Sequence, residues 1–569
     1  MIGTYAAVLA VCGASLPIGQ SVIALCGVRR WSWLSPPVGL ALLCAICWGA
    51  VQLPGGGTTA AAAVLFVTVA ALVLLRGRVA GGREALKVGL PVALVALAAA
   101  SLPFIVEGHF GILGTGFNPD MSQHLLAADR LADGTSSQLL HQGYPLGPHA
   151  IVIALNEGLG VGLVQGFSGL TLAVAILASL TTLAAFSDQP PLRRTAAALL
   201  VGLPYLVASY LAQGAFKETM QALFVLAFVL ALRESAKPEW ANQPLRFVPA
   251  ALLAVGSVYT YSFPGLIWLG AALLIWLALE KQAPLRPLLL ALAVFLVGTL
   301  PELGRMIDFQ RFETFDPNGP GLGNLFGQVS PLTALGVWFS GDFRLAPGDG
   351  AVPAFAYYLG AAFPGILLLY GLVRCLRGRE TTVIAGVLAG ATVYVVARLG
   401  GTPYTAAKAL EVAAPLVTLA IVLPLLRRPV GVLYLLAAGG CSLLALANAP
   451  VGPTSYSPAL TGLRPLVAAD STLALASSRL LLEEHGERYI YWELRGGRVC
   501  IGEEGHMRVL PSGIRFVVTE GSPARPPFRG LSLRRAAPPY ALWELTRPVA
   551  AHSPCPLIAV RQARQGPER

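Results

Sequence analysis

The chain has 569 residues, of which 55% are hydrophobic and 12% are charged, and its mean hydropathy is +0.67. Soluble domains carry roughly 25% charged residues, so this composition excludes an ordinary soluble globular protein and indicates a polytopic membrane protein. The net charge of +11 comes from arginines in short turns between apolar segments. Membrane orientation explains such a pattern, and a nucleic-acid partner is therefore not expected.

Apolar segments of about 20 residues predict membrane-spanning helices, and several of those found here are short or contain proline. We therefore predict about 12–14 transmembrane helices. The first segment has no basic region before it and no clear cleavage site, so we interpret it as a retained helix. The candidate segments are 4–27, 37–53, 58–75, 88–106, 163–186, 195–212, 219–232, 247–263, 265–280, 287–301, 354–373, 381–397, 409–425 and 430–448.

The basic residues fall in alternate turns between these segments. One orientation places all of those turns in the cytoplasm and both termini outside, as the positive-inside rule requires. The chain is then a multi-pass protein of the plasma membrane whose remaining loops are extracytoplasmic. The basic turns are Arg29–Arg30, Arg76–Lys87, Arg193–Arg194, Arg233–Arg246, Lys281–Arg286, Arg374–Arg379 and Arg427–Arg428. The extracytoplasmic parts are 107–148, 213–218, about 257–264, 302–353, 398–408 and 449–569.

The loop 107–148 is the richest of these parts in reactive side chains. Asp120 begins a helical pattern, and His124 follows four residues later on the same predicted face. A carboxylate at this position is either a structural cap, favoured by the helix N-terminus, or a reactive group. A rigid turn, Tyr144-Pro145-Leu146-Gly147-Pro148-His149, closes the loop.

These features resemble the GT-C glycosyltransferases, polytopic enzymes that use polyprenyl-phosphate-linked sugars. The resemblance rests on an aspartate in a first large extracytoplasmic loop, on the turn from Tyr144 to His149, and on a C-terminal domain like that of actinobacterial arabinofuranosyl- and mannosyl-transferases. In many members of this family the key carboxylate follows the first transmembrane helix. This chain departs from that pattern, because three helices precede the corresponding point. The carboxylate pair that is common in that loop is also absent beside Asp120.

The resemblance implies that Asp120 is the general base of an inverting transfer, taking the proton of the acceptor hydroxyl. His124 would orient Asp120, contact phosphate, or help to hold a divalent cation such as Mg²⁺, Mn²⁺ or Ca²⁺. Glu107 and His109 are further candidates to support substrate or metal, with the alternative that they anchor the fourth helix at the membrane surface.

A leaving phosphate needs fixed cations, and three basic residues lie in the predicted outer turns. They are Lys217, Arg398 and Lys408, and the chain has five lysines in all. Snorkelling anchors, or plain ion pairs with the neighbouring Glu218 and Glu411, are the alternatives. Supporting candidates are Glu218, Tyr144, His149 and Tyr404.

Residues 449–569 are less apolar and form a second predicted domain after the membrane domain 1–448. A helix is expected from about 471 to 484, followed by an antiparallel β-rich domain. Cys500 and Cys555 could form a disulfide if this domain is extracytoplasmic. The predicted strands begin at Tyr489, Arg498, Ile514, Tyr540 and Leu557.

The function expected from the resemblance is transfer of a sugar from a polyprenyl-phosphate donor to an extracytoplasmic glycan, lipid or protein, beside membrane lipids. A polysaccharide polymerase or ligase with a diphosphate-linked lipid is the main alternative. A transporter is a weaker one, because the helix interiors are nearly uncharged and no internal repeat is visible. A non-catalytic sensor or scaffold is the last alternative.

Overall fold

The structure is a computed structural model, and it divides the chain into two units. The first comprises Met1–His109 and Ala128–Pro450, and the second comprises Phe110–Ala127 and Val451–Arg569. The second unit thus takes in part of the long loop that the sequence suggested for the membrane domain. The described residues are 1–118, 120–132, 134, 138–186, 188–280, 284–311, 321–454, 457–468, 471–476, 486–495, 498–503, 510–511, 513–520 and 525–546. Lys281, Cys555 and the strand expected at Leu557 lie outside them.

The described part of the chain is largely helical, and each predicted apolar segment coincides with helix. The helices of the N-terminal half are α1 (Ile2–Leu25), α2 (Ser35–Val51), α3 (Gly56–Leu75), α4 (Gly82–Ala100), α5 (Leu102–Val106), α6 (Asp120–Ala132), α7 (Gln138–His141), α8 (Gly147–Leu159), α9 (Leu163–Thr181), α10 (Leu183–Phe186), α11 (Pro191–Gly202), α12 (Tyr205–Ala212), α13 (Phe216–Ser235) and α14 (Pro238–Ala241). Those that follow are α15 (Val248–Leu279), α16 (Leu285–Thr299), α17 (Leu303–Phe309), α18 (Ala354–Arg377), α19 (Thr381–Gly400), α20 (Pro403–Leu425), α21 (Pro429–Ala447), α22 (Pro458–Val467) and α23 (Gly486–Glu493).

Within the described ranges, nine helices are long and apolar enough to cross a membrane when α15 is counted as one helix, or ten when the bent pair α11–α12 is also taken as one span. This number is lower than the predicted 12–14 for physical reasons. Helix α2 is short, while α4 and α13 each carry at least three charged residues in any 18-residue stretch. The protein is nonetheless an α-helical multi-pass membrane protein with a C-terminal sheet domain, as the sequence predicts.

Helix α15 is a hairpin of two antiparallel arms rather than one straight rod. Ser262 lies at φ 59° and ψ −159°, outside helical geometry. The rings of Phe247 and Trp276 lie 5.8 Å apart, whereas a straight helix would separate these residues by about 40 Å. The chain therefore reverses at Ser262, and the sequence prediction of two segments with a turn near 257–264 is correct.

The basic turns of the first unit gather at one end of the helix bundle, which we call the basic end. The guanidinium of Arg233, at the end of α13, bonds both oxygens of Glu380, which precedes α19. Other contacts join further turns there: Arg30 with Glu239 at 3.3 Å, Arg427 with Gln189 at 3.2 Å, and the backbone of Arg30 with Ala80. This clustering is the arrangement that the alternation of basic turns predicts.

The second unit holds two sheets. Strands β1 (Ile112–Leu113) and β2 (Val451–Gly452) pair antiparallel. The larger sheet has the order β4-β3-β5-β7-β6, with β3 parallel to β4 and β5, and β7 antiparallel to β5 and β6. Its strands are β3 (Ser471–Ala476), β4 (Arg498–Glu503), β5 (Phe516–Glu520), β6 (Leu531–Ala537) and β7 (Tyr540–Leu545).

Three expectations for this domain are wrong. The sheet is mixed rather than antiparallel, residues 471–476 form a strand rather than the start of a helix, and the segment from Tyr489 is helical. Strand β3 is buried on both faces, since Ala474 and Leu473 pack in two different clusters. A short apolar run of this kind cannot be told from a buried helix by its periodicity. The strands predicted near 498, 514 and 540 are present.

Candidate functional site

A buried ion pair joins two helices at the end of the bundle opposite the basic end. Helices α13 and α20 both finish at the basic end, so their first turns lie at the other end. Lys408 of α20 places Nζ 2.8 Å from Oε1 of Glu218 on α13, and both side chains are largely buried. The sequence suggested local pairs instead, and the structure reports a pair between helices.

Each lysine of this region also lies over a tyrosine ring. Nζ of Lys217 is 4.0 Å from the ring centre of Tyr144, and Nζ of Lys408 is 4.2 Å from that of Tyr404. A cation over an aromatic face is stabilised by the quadrupole of the ring, and more strongly where water is excluded. We call the side chains of Lys217, Glu218, Tyr404, Lys408 and Glu411 the lysine cluster.

Glu411 adds a second carboxylate to the lysine cluster. It is fully buried, and within the described residues neither of its oxygens has a hydrogen-bond partner. The hydroxyl of Tyr210, on α12, is likewise buried without a partner there, and the ring lies within electrostatic range of Lys408 and Glu411. Buried polar groups are normally hydrogen-bonded, so these groups stand out within the described residues.

The turn that carries Tyr144 is held in place by Arg305. The guanidinium donates to the carbonyl oxygens of Leu140 and Tyr144, and its Nε lies 3.4 Å from Oε2 of Glu302. Glu302 also accepts from the indole of Trp48, over whose ring the guanidinium lies at 4.6 Å. Arg305 thereby connects α2 and α17 with the tyrosine under Lys217.

Gly143 allows this close approach. Its φ is +66°, and a Cβ at this position would lie 2.2 Å from the carbonyl oxygen of Arg305. The left-handed conformation favours glycine, and here the space also admits no larger residue.

His149, at the start of α8, is fully buried among aromatic rings. Its ring centre lies 6.3 Å from that of Tyr144, 5.4 Å from that of Phe167 and 5.7 Å from that of Phe216. Burial, together with the charge of Arg305, lowers the pKa of His149 to about 3. The imidazole is therefore neutral at physiological pH and packs in the wall behind Tyr144.

The tip of the α15 hairpin lies against α13. Gln221 donates to the carbonyl oxygen of Gly265 and accepts from the hydroxyl of Ser257. Tyr261, next to the reversal, is within electrostatic range of Lys408 and Glu218. The hairpin thus places Tyr261 near the lysine cluster.

Three predicted site residues of the first unit lie apart from the cluster in the contacts described. Arg398 is exposed at the end of α19. Glu107 and His109 are exposed as well, and Nδ1 of His109 lies 3.0 Å from the carbonyl oxygen of Glu107. The other predicted site residues of the first unit lie in or beside one buried region: Lys217, Glu218, Tyr144, His149, Tyr404 and Lys408.

Asp120 and His124 belong to the second unit. Asp120 is half-buried at the first position of α6, where its backbone amide donates to the side chain of Asn118. His124 is buried on the same helix. Burial and the nearby Asp120 carboxylate raise the pKa of Tyr489.

The described ranges contain no group of three or more His, Cys, Asp or Glu side chains that could hold an ion. Asp120 with His124 stays the candidate pair, and the divalent cation stays a prediction. In the second unit Cys500 is disulfide-bonded.

The sequence did not single out Tyr210, and it gave no role to Trp48. Tyr210 lies in an apolar segment after Pro204, where tyrosine is as readily an interfacial anchor. Its significance comes from packing beside residues that follow it by about 200 positions in the chain. The signal in the sequence that could have identified Tyr210 is a tyrosine, with its polar hydroxyl, in the middle of an apolar segment.

No protein-family model matches the sequence, and no curated protein matches it. Solved structures that resemble the chain include ArnT from Cupriavidus metallidurans, solved bound to undecaprenyl phosphate. That likeness has 14% identity and a TM-score of 0.47, and covers 82% of this chain and 98% of ArnT. Another is the mycobacterial arabinofuranosyltransferase AftD, with 14% identity and a TM-score of 0.47 over 81% of this chain and 40% of AftD.

The predicted resemblance includes arabinofuranosyl-transferases, and AftD is one of these by name. Both TM-scores are below 0.5, and such a likeness transfers no activity, substrate or residue role.

Proposed function

We propose that the protein is a membrane glycosyltransferase. It moves a sugar from a polyprenyl-phosphate-linked donor to an extracytoplasmic glycan, lipid or protein acceptor, with inversion at the anomeric carbon. The observation that supports this most is the lysine cluster: two lysines over tyrosine rings at the end of the bundle opposite the basic turns. Charged groups near a bilayer are costly and are usually kept for function.

The cluster suits a phosphate at a membrane surface. Glu218 pairs with Lys408 directly, Lys217 supplies a second cation, and Glu411 is a second carboxyl group of the cluster, without a hydrogen-bond partner among the described residues. A departing polyprenyl phosphate gains negative charge as its bond to the sugar breaks, so fixed cations nearby stabilise the transition state. The aromatic faces exclude water, which strengthens that attraction.

Asp120 is proposed as the base on the strength of the sequence resemblance. The acceptor hydroxyl oxygen attacks the anomeric carbon, the bond from that carbon to the phosphate oxygen breaks, and the leaving phosphate keeps the electron pair. The hydroxyl proton passes to the Asp120 carboxylate. A carboxylate performs this role when it lies within hydrogen-bond reach of the acceptor.

The test is transfer by purified protein from a panel of radiolabelled polyprenyl-phosphate sugars to envelope acceptors. Asp120→Asn and Lys217→Met are assayed beside it, each with and without EDTA. We expect turnover with one donor, loss of at least about 100-fold in Asp120→Asn, and a smaller loss in Lys217→Met. A loss on adding EDTA would establish the predicted cation.

The matched control is Lys87→Gln, because Lys87 is exposed and pairs only with the exposed Glu84 in the ion pairs described. It should keep wild-type turnover. Wild-type transfer by folded Asp120→Asn would remove Asp120 from the mechanism. Turnover only with diphosphate-linked oligosaccharides would establish the polymerase or ligase alternative instead.

A further inference from the structure

A cavity lies at the basic end, at the opposite end of the bundle from the lysine cluster. Its volume is about 490 Å³, within the range of small-ligand pockets. It is enclosed by the ends of α13, α18 and both arms of α15, and by the first turn of α19. Phe247 and Trp276 form its apolar wall.

Four basic side chains line this cavity, and two of them are committed to carboxylates. Arg233 is held by Glu380 through two hydrogen bonds. Lys237 lies in an ion pair with Glu234. Arg246 and Arg379 have no carboxylate partner in the ion pairs of the described residues.

Two acidic side chains also line the cavity. Glu380 is bonded to Arg233, and Glu280 accepts from the hydroxyl of Thr381. Nε of Arg246 is buried and has no hydrogen-bond partner among the described residues. Glu280 is thus the one carboxylate of the described lining without a cation partner, and it stands against the two guanidinium groups of Arg246 and Arg379, so the described lining keeps an excess of positive charge.

The first turn of α19 adds neutral donors to the same space. Glu380 precedes this helix, but no side chain caps it, because the carboxylate is turned to Arg233. The amides of Thr381 and Thr382 border the cavity, and a helix N-terminus favours a phosphate. The indole of Trp276 supplies the kind of apolar surface that lies at the level of lipid headgroups.

We propose that this cavity binds a phosphate group, held by Arg246, Arg379 and the first amides of α19. Two sources present such a group there: an anionic phospholipid of the surrounding leaflet, or phosphate in solution. Basic pockets between membrane helices are suited to lipid phosphates, and the aromatic wall favours that source. This site is independent of the transfer reaction proposed above.

The test uses the purified full chain in detergent. The probes are phosphatidylglycerol, phosphatidylcholine and inorganic phosphate, and the readouts are lipid retention by native mass spectrometry and the shift in thermal unfolding. We expect phosphatidylglycerol to be retained in preference to phosphatidylcholine and to raise the unfolding temperature. The double variant Arg246→Gln/Arg379→Gln should bind it about tenfold more weakly, since charged hydrogen bonds are lost.

Arg377→Gln is the matched control, because Arg377 is exposed near the same end of α18 and does not line the cavity. It should behave as the wild type. A gain in stability with inorganic phosphate alone, lost in the double variant, would support the site with the soluble source. Equal retention of both phospholipids without any phosphate effect, or unchanged binding by the folded double variant, would overturn the proposal.

Discussion

Lys408 and Glu218 are each buried against the other, and neither has much access to water. Transfer of an isolated charge from water into such surroundings costs several kcal/mol, which the partner offsets only while the pair is intact. Glu411 lies in the same region with no hydrogen-bond partner among the described residues, so the local balance depends on Lys408.

Lys408→Met should therefore destabilise the fold by about 3–5 kcal/mol, because it leaves Glu218 and Glu411 together without this cation. The double variant Lys408→Met/Glu218→Met should recover part of that loss. Unfolding of purified protein in mixed micelles measures both free energies. A loss in the double variant equal to the sum of the losses in Lys408→Met and Glu218→Met would mean that the two residues do not stabilise each other.

Gly143→Ala tests the turn beneath Lys217. A Cβ there meets the carbonyl oxygen of Arg305 and also forces an alanine to positive φ. We expect a loss of about 1–3 kcal/mol in stability together with reduced transfer, since the position of Tyr144 depends on this turn.

Gly134→Ala is the matched control for that change. Gly134 has nearly the same φ, +65°, but an added Cβ meets no atom of the described residues within 4 Å. It should show the backbone cost alone and leave transfer intact. If both variants behave alike, the close approach to Arg305 has no functional consequence.

The neutral state of His149 gives the fold a pH dependence. Its folded pKa of about 3 lies below the ordinary value of 6.5, so the unfolded chain binds the proton more readily between these values. The stabilisation is complete above pH 6.5 and is lost as pH falls towards 3, at about 1.4 kcal/mol per pH unit.

His149→Phe should remove this portion of the acid sensitivity. The measurement is the free energy of unfolding at several pH values for both proteins, in one detergent. A variant that weakens in acid as steeply as the wild type would show that His149 is not the responsible group.

At the scale of elements, the α15 hairpin concentrates its strain in one residue. Ser262 adopts φ 59° and ψ −159°, a region populated almost entirely by glycine, and its buried hydroxyl has no partner within the described residues. Ser262→Gly should therefore stabilise the protein by about 1 kcal/mol.

Ser209→Gly is the contrasting change, because Ser209 lies in regular helix and donates to the carbonyl oxygen of Tyr205. It should destabilise by about 1 kcal/mol. Thermal unfolding of the two variants side by side checks the opposite signs. A loss of stability in Ser262→Gly would show that the serine is not strained.

Hydropathy predicts the membrane helices well because burial in lipid demands long apolar runs. It even separates the two arms of α15, since Ser262 and Pro264 interrupt the apolar run there. The C-terminal domain is harder because tertiary packing overrides propensity. The segment at Tyr489 is rich in strand-forming residues, yet Ile490 and Leu494, four apart, are both buried in one cluster as a helix requires.

The candidate site was only partly accessible from the sequence for a similar reason. Lys217 and Lys408 stand out because lysine is rare here and unexpected away from the basic turns. Their surroundings could not be derived, since Glu218, Tyr404 and Tyr144 come together only through helix packing. A single sequence does not show whether a lysine pairs with a glutamate nearby in the chain or with a glutamate on another helix.

At the scale of the whole molecule, the two ends of the bundle should face opposite sides of the membrane. Arg374→Cys, at the basic end, is expected to react with an impermeant maleimide only after cells are opened, and Asp349→Cys is expected to react on intact cells. Both parent residues are exposed. Five of the six free cysteines in the described ranges are buried, so background labelling should be low.

The reverse labelling pattern would place the lysine cluster in the cytoplasm and exclude a polyprenyl-phosphate sugar presented outside. Reaction of both cysteines on intact cells would instead show that the membrane was already permeable. Omission of the maleimide and an unsubstituted chain are the controls.

The reversal at Ser262 bears on how the chain enters the membrane during synthesis. The two arms share the 32 residues of α15. Each arm is therefore shorter than an independent membrane-spanning helix, which needs about 20 residues. No polar loop lies between them to be carried across by itself. The arms are thus expected to leave the insertion machinery together as one helical hairpin, so that Tyr261 reaches its final depth only after the second arm has been synthesised.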